Sequence, residues 1–362
     1  MVYLQKLREY KQKQKTKTAH IIGRSGFFMC KFIKAESAGN DYLYSFEKPW
    51  QKSRIIAMCS RRFGAGADGA VFIEKQNGAY YLRIFNADGS EADFCGNACL
   101  TAAKLLYDLG LSKRFKFRLQ TRAKKAEAEI YNGFSAIKTE GAKLKKTACA
   151  EKLLLNELRG TAGIEYADVF TAGNLHLTIK TANLSCLSRK FTNGVIKKID
   201  SCGVFKDGVN IEFFCPSFSG LRGFAAKGEC GYGRGVFNGK ISDGVNAVVY
   251  ERGSGYTYSC GSGALAIFAC YNLCVRNVFG LSVKYDGGVL TVQRCENGEN
   301  SDGLRSRFGK SDFCGESACE EDRLKLIGSP KIVYSASALK NEAASGLCGA
   351  LKKDFIGEDY AD

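Results

Sequence analysis

Two cysteines stand in matching sequence contexts, each directly before a stretch that can form a helix. Cys95 begins the run Cys-Gly-Asn-Ala, and Cys260 begins the run Cys-Gly-Ser-Gly. An apolar stretch follows each run, and a polar residue lies upstream of each cysteine, Asn86 in the first case and Glu251 in the second. This repetition predicts two cysteines at helix N-termini, on two related halves of one chain.

A helix N-terminus changes what a cysteine can do. The first turn carries unpaired N–H groups and the positive end of the helix dipole. A thiol placed there ionises more readily than a free thiol, and the N–H groups can hold a carboxylate. Two such cysteines facing one carbon could remove a proton from one side and return a proton to the other. That chemistry inverts a stereocentre without a cofactor.

The first half contains clear signals for the elements that lead to Cys95. Residues 51–62 are typical of a helix, and residues 80–85 are typical of a strand. Asn77-Gly78, just before that strand, predicts a hairpin turn. The helix after Cys95 is expected to end near Gly110, since glycine is favoured just past a helix C-terminus.

The second half repeats this order with more sequence between the signals. Ala172-Gly173-Asn174 repeats Ala38-Gly39-Asn40, and residues 209–214 predict the next strand. The additional length lies at residues 215–245, which are rich in glycine and predict an inserted loop. A second polar insertion is predicted at residues 294–322.

Composition is that of a globular chain with a basic N-terminal extension. The formal net charge is +16, and residues 1–28 hold many lysines and one acid, Glu9, which predicts a disordered extension. No apolar run is long enough for a membrane helix and no secretory signal is recognised, so a cytoplasmic location is expected. There are 16 cysteines but no Cys-x-x-Cys pair, so neither a disulfide framework nor a structural metal site is favoured.

Five motifs, found in order, make this chain similar to the diaminopimelate epimerase family. They are Ser-Ala-Gly-Asn-Asp-Tyr at 37–42, Gly-x-Gly-Ala-Asp-Gly at 64–69, Phe-Asn-Ala-Asp-Gly-Ser-Glu with Cys-Gly-Asn at 85–97, Gly-Asn-Leu-His at 173–176, and Tyr-Glu-Arg-Gly with Cys-Gly-Ser-Gly at 250–263. Two positions depart from the family pattern. Leu175 replaces a proline, and Ala98-Cys99-Leu100 stands where the family usually continues Gly-x-Arg-Cys.

The resemblance implies an α/β (α+β) fold. It has two similar halves, each a sheet wrapped around a central helix, with the active site in the cleft between them. The halves are expected at residues 29–140 and 141–331, and the second half would carry both insertions. Residues 332–362 would supply a last strand that returns to the first half, followed by a tail.

The resemblance also implies a reaction, the interconversion of LL- and meso-2,6-diaminoheptanedioate in lysine and peptidoglycan-precursor synthesis. The family uses two cysteines, here Cys95 and Cys260, and neither pyridoxal phosphate nor a metal. His176 and Glu251 match groups that tune the cysteines, and Tyr334 is expected at the interface of a homodimer. The positions implied to bind substrate are Asn40, Asn86, Gly96, Asn97, Asn174, Asn210, Glu251, Arg252, Gly261 and Ser262.

Two other interpretations stay open from the sequence alone. A racemase or epimerase of the same fold could act on another amino acid, although Asn86, Asn210 and Arg252 favour a substrate with a second amino-acid end. Alternatively, the basic residues of 1–28 could belong to a nucleic-acid-binding protein. Such a protein requires interleaved aromatic and basic residues on a surface, and the extension offers only Tyr3 and Tyr10.

Overall fold

The chain divides into two compact units. The computed structural model describes residues 32–131, 134–217, 241–295 and 323–336. The first unit contains the chain up to Ser135 and resumes at Ser329, and the second unit runs from Ala136 to Gly328. Both predicted tails and most of both predicted insertions lie outside the described residues.

The described residues of the first unit form mainly strands, with two helices. Its elements are β1 (Phe32–Ser37), β2 (Asn40–Ser45), α1 (Lys52–Cys59), β3 (Gly69–Gln76), β4 (Ala79–Asn86), β5 (Glu91–Ala92), α2 (Gly96–Asp108), β6 (Lys116–Gln120), β7 (Lys125–Tyr131) and, from the end of the chain, β18 (Lys331–Ala336). The predicted Cys95 helix is therefore confirmed as α2.

The described residues of the second unit form more helices, and its first strand begins just before the boundary at Ser135. Its elements are β8 (Phe134–Glu140), β9 (Lys143–Leu144), α3 (Cys149–Arg159), β10 (Ile164–Ala172), β11 (Asn174–Thr181), a 3-10 turn (Leu184–Leu187), α4 (Arg189–Cys202), β12 (Asn210–Ser217), β13 (Ile241–Glu251), β14 (Gly255–Thr257), α5 (Gly261–Cys274), β15 (Gly280–Tyr285), β16 (Gly288–Arg294) and β17 (Arg323–Gly328). The helix predicted after Cys260 is confirmed as α5.

The strands of the two units are paired in the same order and direction. In the first unit β1 is antiparallel to β18 and β2, β2 is parallel to β3, β3 is antiparallel to β4, and β4 is parallel to β6. In the second unit β10 is antiparallel to β9 and β11, β11 is parallel to β12, β12 is antiparallel to β13, and β13 is parallel to β15. The predicted mixed α/β fold with two similar halves is confirmed.

Each unit is organised around the helix whose N-cap is Cys95 or Cys260. α2 packs against β1, β2 and β7, and α5 packs against β10, β11, β12, β15 and β16. The consecutive residues Ala264 to Ile267 cover the full circumference of α5, and all four are completely buried. A helix that is apolar all round must be enclosed by other elements, so the sheet of the second unit surrounds α5.

Two tight turns join strands of the first unit. Asn77 and Gly78 have φ of 47° and 73°, as the predicted hairpin turn requires. Ala38 and Gly39 have φ of 51° and 82° between β1 and β2. The left-handed conformation is unusual for alanine, and it lets β2 begin at once with Asn40.

The structure differs from the sequence predictions at the insertions and at two helices. The insertion predicted at 215–245 is shorter, because β12 continues to Ser217 and β13 begins at Ile241. Similarly, Arg294 belongs to β16 and not to the insertion. The helices α3 and α4 were not identified from the sequence, although Val195, Ile196 and Ile199 follow a helical period and are buried.

Two further sequence predictions concern membrane-spanning helices and the residue Tyr334. The described helices include none with the length and apolarity needed to cross a bilayer. The backbone of Tyr334 lies in β18, which pairs with β1, but its side chain is outside the described part of the molecule, so its place in a homodimer stays a prediction.

Candidate active site

Cys95 and Cys260 occupy the same place in their units, the N-cap of the central helix. Their backbones are extended, with φ of −140° and −135°, and their carbonyl groups accept the first helical hydrogen bonds. The Sγ of Cys260 accepts a hydrogen bond from the Gly263 N–H at 3.3 Å. Each thiol therefore lies at the positive end of a helix dipole, beside N–H groups that can bind an anion.

In the first unit, the half-buried Cys95 is next to two side chains from β2. The hydroxyl of Tyr42 donates to Cys95 Sγ at 3.5 Å, and Asn40 Oδ1 lies 3.8 Å from the same sulfur. Asn40 Nδ2 donates to the Asp68 carboxylate at 3.0 Å. This bond fixes the amide so that its carbonyl oxygen, and not its NH₂ group, faces the thiol.

An ion-pair network of Arg61, Asp41 and Asp68 holds the Asn40 side chain, because Asp68 accepts the hydrogen bond of its amide. Arg61 donates two hydrogen bonds to Asp41, at 2.8 and 3.2 Å, and another to Asp68 at 2.6 Å. Burial by itself would raise the pKa of Asp41, but hydrogen bonds from Arg61 and Lys34 outweigh it and lower that pKa. Asp41 is therefore a charged anchor, and the network holds the residues on either side of the β1–β2 turn.

In the second unit, Cys260 is buried among acidic groups. Burial raises the pKa of its thiol well above the usual value, and the charges of Glu251 and Glu212 raise it further. Hydrogen bonds with Ser262 and with the Gly263 N–H act in the opposite direction. Burial and the two carboxylates therefore favour the protonated form of the Cys260 thiol, which is the form that can donate a proton.

Glu251 ends β13 and is partly buried. Burial raises the pKa of its carboxyl group, and a hydrogen bond from Thr257 partly offsets this effect. Glu251 also interacts with Cys260 and lies near Glu212 and His176. The structure thus brings together the three predicted residues Cys260, Glu251 and His176.

Sequence reasoning missed one member of this cluster, Glu212. It is completely buried on β12, and its Oε1 lies 2.7 Å from Nδ1 of the equally buried His176. Glu212 is two residues after Asn210, so both side chains are on the same face of the strand. A carboxylate in an otherwise apolar buried strand was the available signal.

Glu212 also explains the second glycine of the Cys-Gly-Ser-Gly motif. A β-carbon at Gly263 would lie only 2.7 Å from Glu212 Oε1 and 3.0 Å from Glu212 Cγ. Any larger residue would therefore displace the carboxylate from the first turn of α5.

His176, Glu212 and Cys260 form a set that could hold a metal ion. One ligand atom from each lies within 4.8 Å of the others, and imidazole, carboxylate and thiolate are all zinc ligands. However, His176 Nδ1 and Glu212 Oε1 already bind each other. The prediction that the protein works without a metal stays a prediction.

The predicted substrate-binding residues lie in several places. Asn210 accepts a hydrogen bond from the Arg252 backbone N–H at 2.9 Å. The guanidinium of Arg252 donates to the Asp207 carbonyl at 3.0 Å. Arg252 also lines a cavity of about 240 Å³. Asn86 is exposed at the end of β4, and Asn174 is exposed at the start of β11. Gly96 and Asn97 form the first turn of α2, and Gly261 and Ser262 form that of α5.

Comparisons with known proteins agree with the fold and the motifs. A family model described as diaminopimelate epimerase matches residues 35–145. The diaminopimelate epimerase of Caldanaerobacter subterraneus is 27% identical over 278 residues, covering 73% of this chain and 91% of that protein. The enzyme of the same name from Methanococcus maripaludis is 29% identical over 276 residues, with 73% and 91% coverage.

Solved structures show the same fold at lower sequence identity. A phenazine biosynthesis protein of the PhzF family from Bacillus anthracis superimposes with a TM-score of 0.56 and 14% identity. The match covers 87% of this chain and 100% of that one. The likeness supports the fold and carries no information on substrate.

Proposed function

We propose that this chain is an isomerase of the diaminopimelate epimerase family, to which its sequence is similar, and that it interconverts LL- and meso-2,6-diaminoheptanedioate by a two-cysteine mechanism. The observation that carries the proposal is the equivalent position of Cys95 and Cys260, which cap the central helices of two units with the same strand order. A reaction that needs one acid and one base on opposite faces of a carbon suits a pair of this kind.

The proposed reaction moves two protons. The thiolate of Cys95 removes the α-proton, and the electron pair stays on the α-carbon as the carbanion develops. The protonated thiol of Cys260 then gives its proton to the opposite face, so that the centre is inverted and the two sulfurs have exchanged protonation states. The reverse reaction uses the same groups in exchanged roles.

Stabilising the carbanion is the largest energetic demand, because an amino-acid α-proton is a very weak acid. N–H groups at Gly96, Asn97, Gly261 and Ser262 would hold the α-carboxylate. Preorganised donors of this kind stabilise developing charge without reorganisation. Their place in the first turns of α2 and α5 supports this assignment.

The far end of the substrate would be recognised by polar groups around Arg252. A guanidinium binds a carboxylate through two parallel hydrogen bonds. Asn210, which accepts from the Arg252 N–H, would keep this part of the chain in position, and Asn86 and Asn174 would bind amino groups. A dicarboxylic diamino acid has the complementary groups at both ends.

We expect purified protein to epimerise LL-diaminopimelate in deuterated water, with deuterium incorporated only at the inverted carbon. Activity should persist after treatment with a chelator and without added pyridoxal phosphate, because the proposed groups are all side chains and N–H donors of the chain. Mass spectrometry and chiral chromatography of the product measure both effects. No exchange with this substrate, or a requirement for either addition, would refute the proposal.

We also expect residues 1–28 to be dispensable. Their Lys- and Gln-rich composition cannot build a core, and the first described strand begins at Phe32. A protein that starts at Met29 should have the same melting temperature, kcat and KM as the full chain. A large loss in any of these quantities would indicate a structural or binding role for the basic extension.

The remaining features of the proposal follow from the family. They are a cytoplasmic location, a place in lysine biosynthesis and assembly as a homodimer. Analytical ultracentrifugation of the full chain tests the last of these directly.

A further inference from the structure

Glu212 is a buried carboxylate that none of the family motifs assigns. It lies on β12 directly opposite Thr178 of the parallel strand β11, and its side chain is fully enclosed. Burying a carboxylate is strongly unfavourable unless hydrogen bonds or charges compensate. The groups that stabilise the buried Glu212 carboxylate therefore indicate the role of this residue.

Two groups compensate it. The first is His176, whose Nδ1 lies 2.7 Å from Glu212 Oε1. The second is the positive end of the α5 dipole, since a β-carbon built on Gly263 would lie 2.7 Å from the same oxygen. The other oxygen, Glu212 Oε2, is buried and has no hydrogen-bond partner among the described residues. The positive end of the helix dipole favours the ionised carboxylate. An ionised Glu212 can only accept a hydrogen bond, so the proton between the two residues belongs to His176 Nδ1.

We propose that Glu212 is a positioning residue for His176, which fixes the imidazole as its Nδ1–H tautomer and leaves the Nε2 lone pair available. The hydrogen bond made by one ring nitrogen sets the state of the other. Consistently, His176 Nε2 has no hydrogen-bond partner within the described part of the chain, although the ring is completely buried.

The arrangement matters for Cys260. Atoms of Cys260, His176 and Glu212 lie within 4.8 Å of one another. His176 Nε2 makes no hydrogen bond to the Cys260 thiol in this structure, so a proton transfer that gives a thiolate and an imidazolium first requires the two groups to approach each other. The Glu212 carboxylate would then stabilise the imidazolium. This role in proton transfer depends on the proposed function, whereas the tautomer itself does not.

The tautomer can be measured in the intact protein without substrate. The chain contains 2 histidines, His20 and His176, so ¹⁵N-histidine labelling gives two imidazole signal sets. A His20→Ala protein assigns them. Couplings between the ring nitrogens and ring protons should show a protonated Nδ1 and a bare Nε2 for His176 at neutral pH. An Nε2–H tautomer or an imidazolium in the wild-type protein would overturn the proposal, whatever the enzyme activity.

A variant then tests the cause. Glu212→Met has a similar length but offers no acceptor of comparable strength, and it should shift the His176 proton to Nε2 and lower kcat about 10-fold or more, as loss of a histidine's outer partner does in metal sites. KM should change little, since Glu212 is not among the groups proposed to bind the substrate. Thr178→Val is the matched control, because it removes a buried hydroxyl from the strand position opposite Glu212. It should keep the wild-type tautomer and kcat.

The possible outcomes separate the two proposals. A wild-type Nδ1–H tautomer that survives in Glu212→Met would show that another group sets it, and would overturn the role of Glu212. The expected tautomer and its loss in Glu212→Met, in a protein that does not exchange diaminopimelate protons, would uphold the positioning role and refute the proposed reaction. If Glu212→Met does not fold, the wild-type spectrum still decides the tautomer.

Discussion

Replacement of either cysteine at a helix start should almost abolish epimerisation. Cys95→Ala removes one proton-transfer group and Cys260→Ala removes the other, and a positioned acid or base contributes about 10²- to 10⁴-fold to a rate. Since inversion needs both groups in every turnover, we expect each variant to lose about 10³-fold or more in kcat. The measurement is the rate of meso-diaminopimelate formation from the LL isomer.

Cys99→Ala is the matched control for both variants. Cys99 lies one turn into α2, is completely buried, and has a thiol pKa that burial raises far above the usual range. Its backbone N–H, which an alanine keeps, donates to the Cys95 carbonyl at 3.0 Å. We expect this variant to retain most of its activity with a modest loss of stability. Full activity in Cys260→Ala would rule out the two-base mechanism.

The sequence predicted the positions of the cysteines because the signals are local. A glycine after each cysteine and a long apolar run behind it are sufficient to predict a helix that begins there. Asn77-Gly78 predicted a turn for the same reason, since two successive left-handed residues limit the choice of amino acids. These features depend on neighbours in the chain and not on the tertiary fold.

The role of Glu212 could not be predicted, because it depends on contacts between distant segments. His176 is on β11, Glu212 is on β12, and the two strands pair in parallel. The space for the carboxylate comes from Gly263 in a third element. No local pattern shows that these three positions meet, although the burial of a lone acid in an apolar strand indicates that it must have a partner.

The amphipathic helices α3 and α4 were missed for a different reason. Val195, Ile196 and Ile199 have helical spacing, but Gly194 and several polar residues interrupt the pattern and lower its helix propensity. Packing of the apolar face against the core of the second unit, where these three residues are buried, supplies the stability that the local sequence lacks.

Gly69→Ala should destabilise the first unit strongly, more than any exposed glycine replacement. Gly69 begins β3 between β2 and β4, opposite Tyr42 and Asn86. A β-carbon there would lie 2.1 Å from the Phe85 carbonyl oxygen and 2.6 Å from Cε1 of Tyr42. The first atom is backbone in a paired strand and cannot move without breaking the pairing. Overpacking at such a site costs about 3 kcal/mol.

Gly69→Ala should also lower the rate of catalysis. The clash pushes on Tyr42, whose hydroxyl donates to Cys95 Sγ, so the folded fraction of Gly69→Ala should have a lower kcat. Gly194→Ala provides the control with the opposite sign. Nothing lies within 4 Å of its β-carbon position, and alanine in the interior of α4 should stabilise that helix by about 1 kcal/mol. Urea unfolding followed by circular dichroism gives both shifts. A wild-type midpoint for Gly69→Ala would mean that β3 and β4 can separate at this point at little cost, and that the glycine of the Gly-Ala-Asp-Gly motif has no packing role.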